Sequence, residues 1–345
     1  MNIGDGMHDK INKWLWITCC ILFVGLMSYS IYSTYIKKQL SSYDTRFFYM
    51  DTYIYVNLYE TEKEKAETAL KEVEKIYKRY HELTDRYQSY PSINNLYFIH
   101  HNQSEEEWIS LDKELYDLIE ISLSYREKSD GLFDIRLGDL TDVWKKAIEE
   151  EKLPNEEELS STKEYKDILL EDGKIYNNHA NIDLGAVTKG YATKKAGEYL
   201  EKMGINCFII NAGGNVLVGN HYGDDAYKIG IEDPTKKEGE IFIKVKANNK
   251  AVVTSGGYQR FFEIDKQRYN HIINPLTLYP SNHTLSVTVI TEDSFKADIL
   301  STILFLMDID TGLAFVEQLK DVEAIWYVSR EEQIMSTGFK QYLYE

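Results

Sequence analysis

Asp298 and Thr302 stand four residues apart within an otherwise apolar stretch, 294–307. On a helix such a pair shares one face, so a carboxylate and a hydroxyl would point the same way while Ile299, Ile303 and Leu306 pack elsewhere. Hard oxygens in that arrangement suit Mg²⁺, which takes one or two protein groups and leaves its other positions to water or phosphate. The plainer account is a Thr hydroxyl bonded to its own helix beside a solvated Asp, and spacing alone favours it. Five other segments gather Gly, Asp, Thr and His where turns belong: 131–134, 183–191, 211–215, 254–260 and 271–275. In 183–191 (Asp-Leu-Gly-Ala-Val-Thr-Lys-Gly-Tyr) glycines allow close backbone approach, amides at a helix start favour an anion, and Lys189 adds a cation. That suits a phosphate, although a structural strand-to-helix turn explains it equally well. Asn211-Ala212-Gly213-Gly214-Asn215 looks too long for a two-residue hairpin loop. His271 precedes a Pro-restricted turn, where an imidazole could face a cleft or serve only the structure.

These residues need elements to hold them. Alternation over 48–58 reads as one strand, with Phe48, Met50, Ile54, Val56 and Leu58 on one face and Tyr49, Asp51, Tyr53 and Asn57 on the other. Apolar residues at three- and four-residue spacing predict helices over 62–83 and 112–128, then 187–203 closed by Gly204, 294–307 and 312–319. Short strands are expected at 205–211, 227–232, 240–246, 258–264, 284–291 and 324–329. Strand clusters separated by long helices point to an α+β fold of largely antiparallel sheets flanked by helices. Residues 149–166, acidic and sparsely apolar, read as a surface excursion and a place for an internal seam.

The chain has 345 residues, 43% hydrophobic and 28% charged, enough for one large or two closely packed domains. Its mean hydropathy of −0.42 excludes a polytopic membrane protein. A formal charge of −17 disfavours a nucleic-acid partner, and any anionic ligand would need a locally built site. Residues 14–36 carry no charge, so an N-terminal transmembrane or signal helix is expected. We therefore read 1–42 as tail and tether, and 43–345 as the working domain.

Taken in order, the segments resemble the FAD:protein FMN transferase family of the ApbE type. The resemblance runs through Met50-Asp51-Thr52, Gly131-Leu132-Phe133-Asp134, the 183–191 and 211–215 segments, and Gly230-Ile231-Glu232-Asp233-Pro234. It continues through Thr254-Ser255-Gly256-Gly257-Tyr258-Gln259-Arg260, His271-Ile272-Ile273-Asn274-Pro275 and Ala297-Asp298-Ile299-Leu300-Ser301-Thr302. It implies two intimately packed halves with a cleft, FAD bound in that cleft by Met50, Tyr87, Phe133, Asp134, Asp183, Lys189 and Ile273, and Mg²⁺ on Asp298, Thr302 and the Ala186 carbonyl. The activity implied is transfer of the FMN part of FAD to a Thr or Ser hydroxyl, with release of AMP. Asp298 and His271 would be the catalytic pair, with His271 as base. The acceptor would be a flavoprotein subunit of an electron-transfer system, and the domain would lie on the outer side of the cell membrane. FAD hydrolysis to FMN and AMP, or FAD binding without turnover, are the other readings. The chain departs from the family pattern in having Asn274-Pro275-Leu276-Thr277-Leu278 where members usually carry Asp-Pro-Arg-Thr-Gly. Gly257 replaces a common Asp, and Asp51 a common Gly.

Overall fold

The computed structural model describes residues 14, 16–18, 21–30, 41–102, 108–162, 167–223, 225–236 and 239–344. What it describes of the apolar N-terminal run is helical with exposed side chains, and among the described residues no helix is long and apolar enough to cross a membrane. The rest of the expected tether up to residue 40 lies outside the described residues.

The chain opens with β1 (Ser41–Tyr49) and β2 (Thr52–Thr61), then α1 (Lys63–Thr84) and α2 (Leu96–His101). β3 (Ile109–Ser110) precedes α3 (Lys113–Lys128), α4 (Gly138–Glu150) and α5 (Glu156–Ser161), and β4 (Leu169–Glu171) and β5 (Lys174–Tyr176) join β3 in a small sheet in which β5 lies between the other two. α6 (Thr188–Lys202) leads to β6 (Phe208–Ala212), β7 (Asn215–Val218), β8 (Tyr227–Glu232), β9 (Ile241–Ala247) and β10 (Lys250–Gly256). The chain then forms β11 (Phe261–Ile264), β12 (Gln267–Asn270), β13 (Ser286–Thr291), α7 (Ser294–Leu306), α8 (Ile309–Val316), β14 (Glu323–Tyr327) and β15 (Gln333–Met335).

Eight strands make one antiparallel sheet in the order β1-β2-β6-β7-β10-β13-β14-β15. Helices α1, α6 and α7 cover one face, where the Ala66, Ala69, Val73, Tyr77, Tyr80 and Leu83 stripe of α1 is buried at helical spacing. The hairpin of β8 and β9 covers part of the other face, over Val216, Val218, Val252 and Ile290. Covered on both sides, β13 is buried at every position, as a central strand must be. The α+β class with large antiparallel pairing is therefore as expected.

Several local expectations are corrected. Residues 48–58 are not one strand, because the chain reverses at Met50 and Asp51, with φ of 54° and 56°, and Tyr49 pairs with Thr52. Ile54, Val56 and Leu58 are buried, but Phe48 is 55% exposed, and Phe47 turns inward instead. Such a turn needs two successive left-handed residues, and Met-Asp does not advertise it as Asn-Gly would. The 211–215 segment is a plain two-residue hairpin after all. Ala212 pairs with Asn215, so only Gly213 and Gly214, at φ 57° and 88°, form the loop. The 258–264 strand shrinks to β11, and β10 goes unforeseen ahead of it. Within the acidic stretch, Asn155 and Glu158 form a capping box on α5, whose Leu159 is buried.

Leu159 belongs to a third apolar cluster with Trp144, Phe262, Tyr269, Ile273 and Leu278. Trp144 is fully buried and donates from Nε1 to the Leu278 carbonyl at 2.8 Å, tying α4 to the turn that follows His271. Trp144→Ala is expected to destabilise the fold by about 3–5 kcal/mol. Trp144→Phe should cost about 1–3 kcal/mol, mainly by stranding that carbonyl. Urea denaturation midpoints would check both.

Candidate active site

The centre of the site is where α6 meets α7. Asp183 accepts from the Gly185 N–H at 2.8 Å, and the Leu184 carbonyl accepts from the N–H groups of Val187 and Thr188, both at 3.0 Å. The turn thus enters α6 tightly wound. Gly190 is the third residue of α6, and a helix leaves the N–H groups of its first turn without an intrahelical partner. Here the Gly190 N–H donates to Asp298 Oδ2 at 2.7 Å, and no donor among the described residues occupies the Ala186 carbonyl. Ser294 Oγ returns the contact by donating to the Gly190 carbonyl at 3.0 Å. A Cβ at position 190 would lie 2.6 Å from Asp298 Cβ and 2.7 Å from the Ser294 carbonyl, so only glycine allows this approach.

Asp298 is 7% exposed and therefore not the solvated residue of the plainer reading. Burial pushes its carboxyl above the usual carboxylate range, while the Lys189 charge, the Gly190 N–H and the Asn215 side chain pull it down. Thr302 partly follows that plainer reading, since Oγ1 lies 3.3 Å from the Asp298 carbonyl, and it also faces Ser255 Oγ at 3.4 Å. Ser255 Oγ meets Ser301 Oγ at 2.8 Å, which anchors the end of β10 to α7. No group of three or more His, Cys, Asp or Glu among the described residues could hold a metal. What the site offers is a buried carboxylate, a hydroxyl and an uncommitted carbonyl. This set of hard oxygens is too sparse for a soft metal and fits Mg²⁺ that keeps water or phosphate as its other partners.

Lys189 lies close enough to both Asp298 and His271 to lower the pKa of each. The edge of the His271 imidazole is exposed, yet the protein around it removes enough water to hold it down to about 4, with the Arg260 and Lys189 charges adding to the effect. Its Nδ1 stands 3.4 Å from the Arg260 carbonyl. A carbonyl only accepts, so in the neutral ring Nδ1 carries the hydrogen and Nε2 keeps its lone pair. Arg260 itself reaches Asp51 Oδ2 at 4.0 Å, and Thr52 Oγ1 would sit 2.4 Å from a Cβ on Gly213. The Met50 turn, the two-glycine turn and the His271 segment thus meet at one end of the sheet.

The other expected residues are placed differently. Asp183 is on the α6 turn, held by Arg86 at 3.0 Å. Arg86, almost wholly buried, also bonds the Gly138 carbonyl at 3.0 Å and Asp142. Sequence reading missed Arg86, because a cation at the end of a charged amphipathic helix looks like a surface residue. Tyr87 is 57% exposed, with Lys145 4.3 Å and Arg86 5.1 Å from its ring centroid. Phe133 and Ile273 have buried side chains, which leaves them backbone and shape. Asp134 is committed to Arg136 at 2.7 Å and Arg126 at 3.0 Å, and no contact joins its carboxylate to the Asp298 group among the described residues.

The 274–278 turn is closed by its own first residue. Asn274 Oδ1 accepts from the N–H groups of Leu276 and Thr277 at 2.8 and 3.4 Å, as an Asp would. Leu278 takes φ 65° where the family places Gly, and is buried against Trp144. Gly257 fits because a Cβ there would lie 2.9 Å from Asn270 Nδ2.

A model of the ApbE family matches residues 50–326. The FAD:protein FMN transferase of Klebsiella pneumoniae is 28% identical over 237 residues, covering 66% of this chain and 73% of that protein. The crystal structure of the ApbE protein from Thermotoga maritima is similar at a TM-score of 0.78 and 28% identity, over 88% of this chain and 100% of that one. The flavin transferase ApbE from Vibrio cholerae, at 20% identity, shares the fold with a TM-score of 0.75 over the same shares of the two chains.

Gly190→Ala should force α6 from α7, break the bond to Asp298 and cost about 1–3 kcal/mol by overpacking. A parental urea midpoint in that variant would show the two helices to be less closely apposed.

Proposed function

The chain belongs to the ApbE family, and from that premise we propose that it is a Mg²⁺-dependent FAD:protein FMN transferase. It moves the FMN part of FAD to a Thr or Ser hydroxyl of an acceptor flavoprotein and releases AMP. The observation that supports this reading is the Asp298–Gly190 bond, which holds a buried carboxylate, with the Thr302 hydroxyl one helical turn on, against the start of α6, where the Ala186 carbonyl has no donor among the described residues. Asp298, Thr302 and the Ala186 carbonyl would hold Mg²⁺, which when bound supplies charge neutralisation at the pyrophosphate of FAD. Lys189 adds a fixed positive charge beside it and steadies phosphate oxygens as negative charge shifts to the leaving group. His271 Nε2 takes the proton of the acceptor hydroxyl as its oxygen bonds to the FMN phosphorus. The bond from that phosphorus to the bridging oxygen breaks, and AMP leaves with that oxygen. Asp183, locked by Arg86, shapes the turn that presents Lys189. Met50, Tyr87, Phe133, Asp134 and Ile273 would complete the FAD site, as the resemblance implies, with Phe133 and Ile273 contributing backbone and shape.

The acceptor belongs to an electron-transfer system, and the working domain occupies residues 43–345. The charge-free run 14–36 supports a membrane tether, with the domain on its outer side beside exported or membrane-bound acceptors.

Incubating the full chain with FAD, Mg²⁺ and a candidate acceptor, then recording acceptor mass and free nucleotides, tests the reading. An FMN adduct with AMP is expected. FMN and AMP without an adduct would mean hydrolysis, and unchanged FAD a binder. Asp298→Ala should lose more turnover than the 10–100-fold typical of groups behind a metal ligand, and full activity would remove Asp298 from the site.

A base whose pKa is depressed stays in its working neutral form until the pH falls to that lowered value. Single-turnover transfer should therefore persist well below the ordinary histidine value near 6.5 and fail towards about 4. His271→Ala should slow it by about 10²–10⁴-fold with FAD affinity retained. An acid limb that persists unchanged in that variant would assign the proton to another group.

A further inference from the structure

Asn215 is the first residue of β7, directly after the two glycines, and is 1% exposed. Its Nδ2 donates to the Ser294 carbonyl at 3.3 Å, and its side chain is close enough to Asp298 to hold that carboxyl down by hydrogen bonding. Both neighbours accept hydrogen bonds, which fixes the amide with its NH₂ towards them. Oδ1 is geminal to that nitrogen, so it lies within a few ångströms of the same group. It is buried, and no donor among the described residues reaches it. Stranding a buried acceptor costs about 1–3 kcal/mol. Thr or Val would fill a central strand at no such cost, so the donor arrives from outside the protein. Two other buried atoms share this condition, His100 Nδ1 and Asn177 Oδ1, but neither residue has a contact with Asp298 among the described residues.

We propose that Asn215 is a further member of the cation site, its side-chain oxygen accepting a hydrogen bond from water carried by the ion while its amide nitrogen steadies Asp298. Mg²⁺ keeps several waters when proteins bind it, and groups behind the direct ligands hold such waters in place. The inference rests on the reading of Asp298 as a cation ligand.

Mn²⁺, as a paramagnetic probe, can be titrated into the full chain without acceptor and free ion followed by electron paramagnetic resonance. Asn215→Leu should weaken Mn²⁺ binding by about tenfold or more. Asn215→Asp, which keeps the oxygen and loses the amide donor, should bind at least as well as the parent. Parental affinity in Asn215→Leu overturns the inference, as does an equal loss in Asn215→Asp, which would leave the amide nitrogen as the only contributor. Should Asn215→Leu not fold, Asn215→Asp decides alone by the same criterion. Asp298→Ala separates the two levels. If it keeps Mn²⁺ affinity, the site reading itself fails, whereas its loss beside a parental Asn215→Leu removes only Asn215.

Discussion

The Gly190 N–H, without an intrahelical partner in the first turn of its helix, bonds to a carboxylate on the neighbouring helix, 2.7 Å away. Three consequences follow from that bond. Helices α6 and α7 approach until only a hydrogen fits between Gly190 and Asp298, which fixes the residue type at 190. The buried carboxylate gains a donor that helps keep it ionised against the cost of burial. And the turn that carries Lys189 and the Ala186 carbonyl, which has no donor among the described residues, is held against α7. Removing any one partner changes all three, so this contact assembles the rest of the site.

The sheet supplies what the helices cannot. Its strands are long enough to carry turns from distant parts of the chain to one end, where Gly213 packs on Thr52 beside the Met50 turn. Ser255, at the end of β10, bonds Ser301 and so sets the register of α7 against the strands. A carboxylate on a helix buried over most of its surface cannot swing to meet a ligand. The ligand has to come to it, and the turns at the sheet's end are placed to define that approach. The surrounding cations, Lys189 and Arg260, make a local positive field on a chain whose formal charge is −17.

Periodicity made the helices legible: the stripe on α1, the Asp298–Thr302 face of α7 and the Gly204 cap, at φ 68°, all lie close to expectation. Motif order led to the α6 turn and to His271. What stayed hidden has a common cause, because a hydrophobic pattern reports which face is buried but not where the chain reverses. The Met50–Asp51 turn has no glycine, so a hairpin read as one strand. Asn211-Ala212-Gly213-Gly214-Asn215 gave the opposite error, because three of its five residues are strand. Arg86 and Asn215 were illegible for another reason. Their importance lies in burial and in partners 97 and 79 residues away in the chain, which no local window contains.

The 274–278 turn departs from the family pattern in charge, while its first residue still closes it. Asn274 repeats the turn-forming hydrogen bonds a carboxylate would make, because the amide oxygen accepts as a carboxylate does. Leu278 bears a left-handed backbone that suits Gly, and burial against Trp144 offsets the strain. The backbone path to His271 therefore survives. What does not survive is the ionic character of the turn, since a negative charge has become an amide and Leu276, 66% exposed, stands where a cation is usual. An apolar side chain on that rim cannot pair with a carboxylate, but it can lie against an apolar surface. The change therefore bears on what docks at the mouth of the site, and leaves untouched the group of oxygens at its floor.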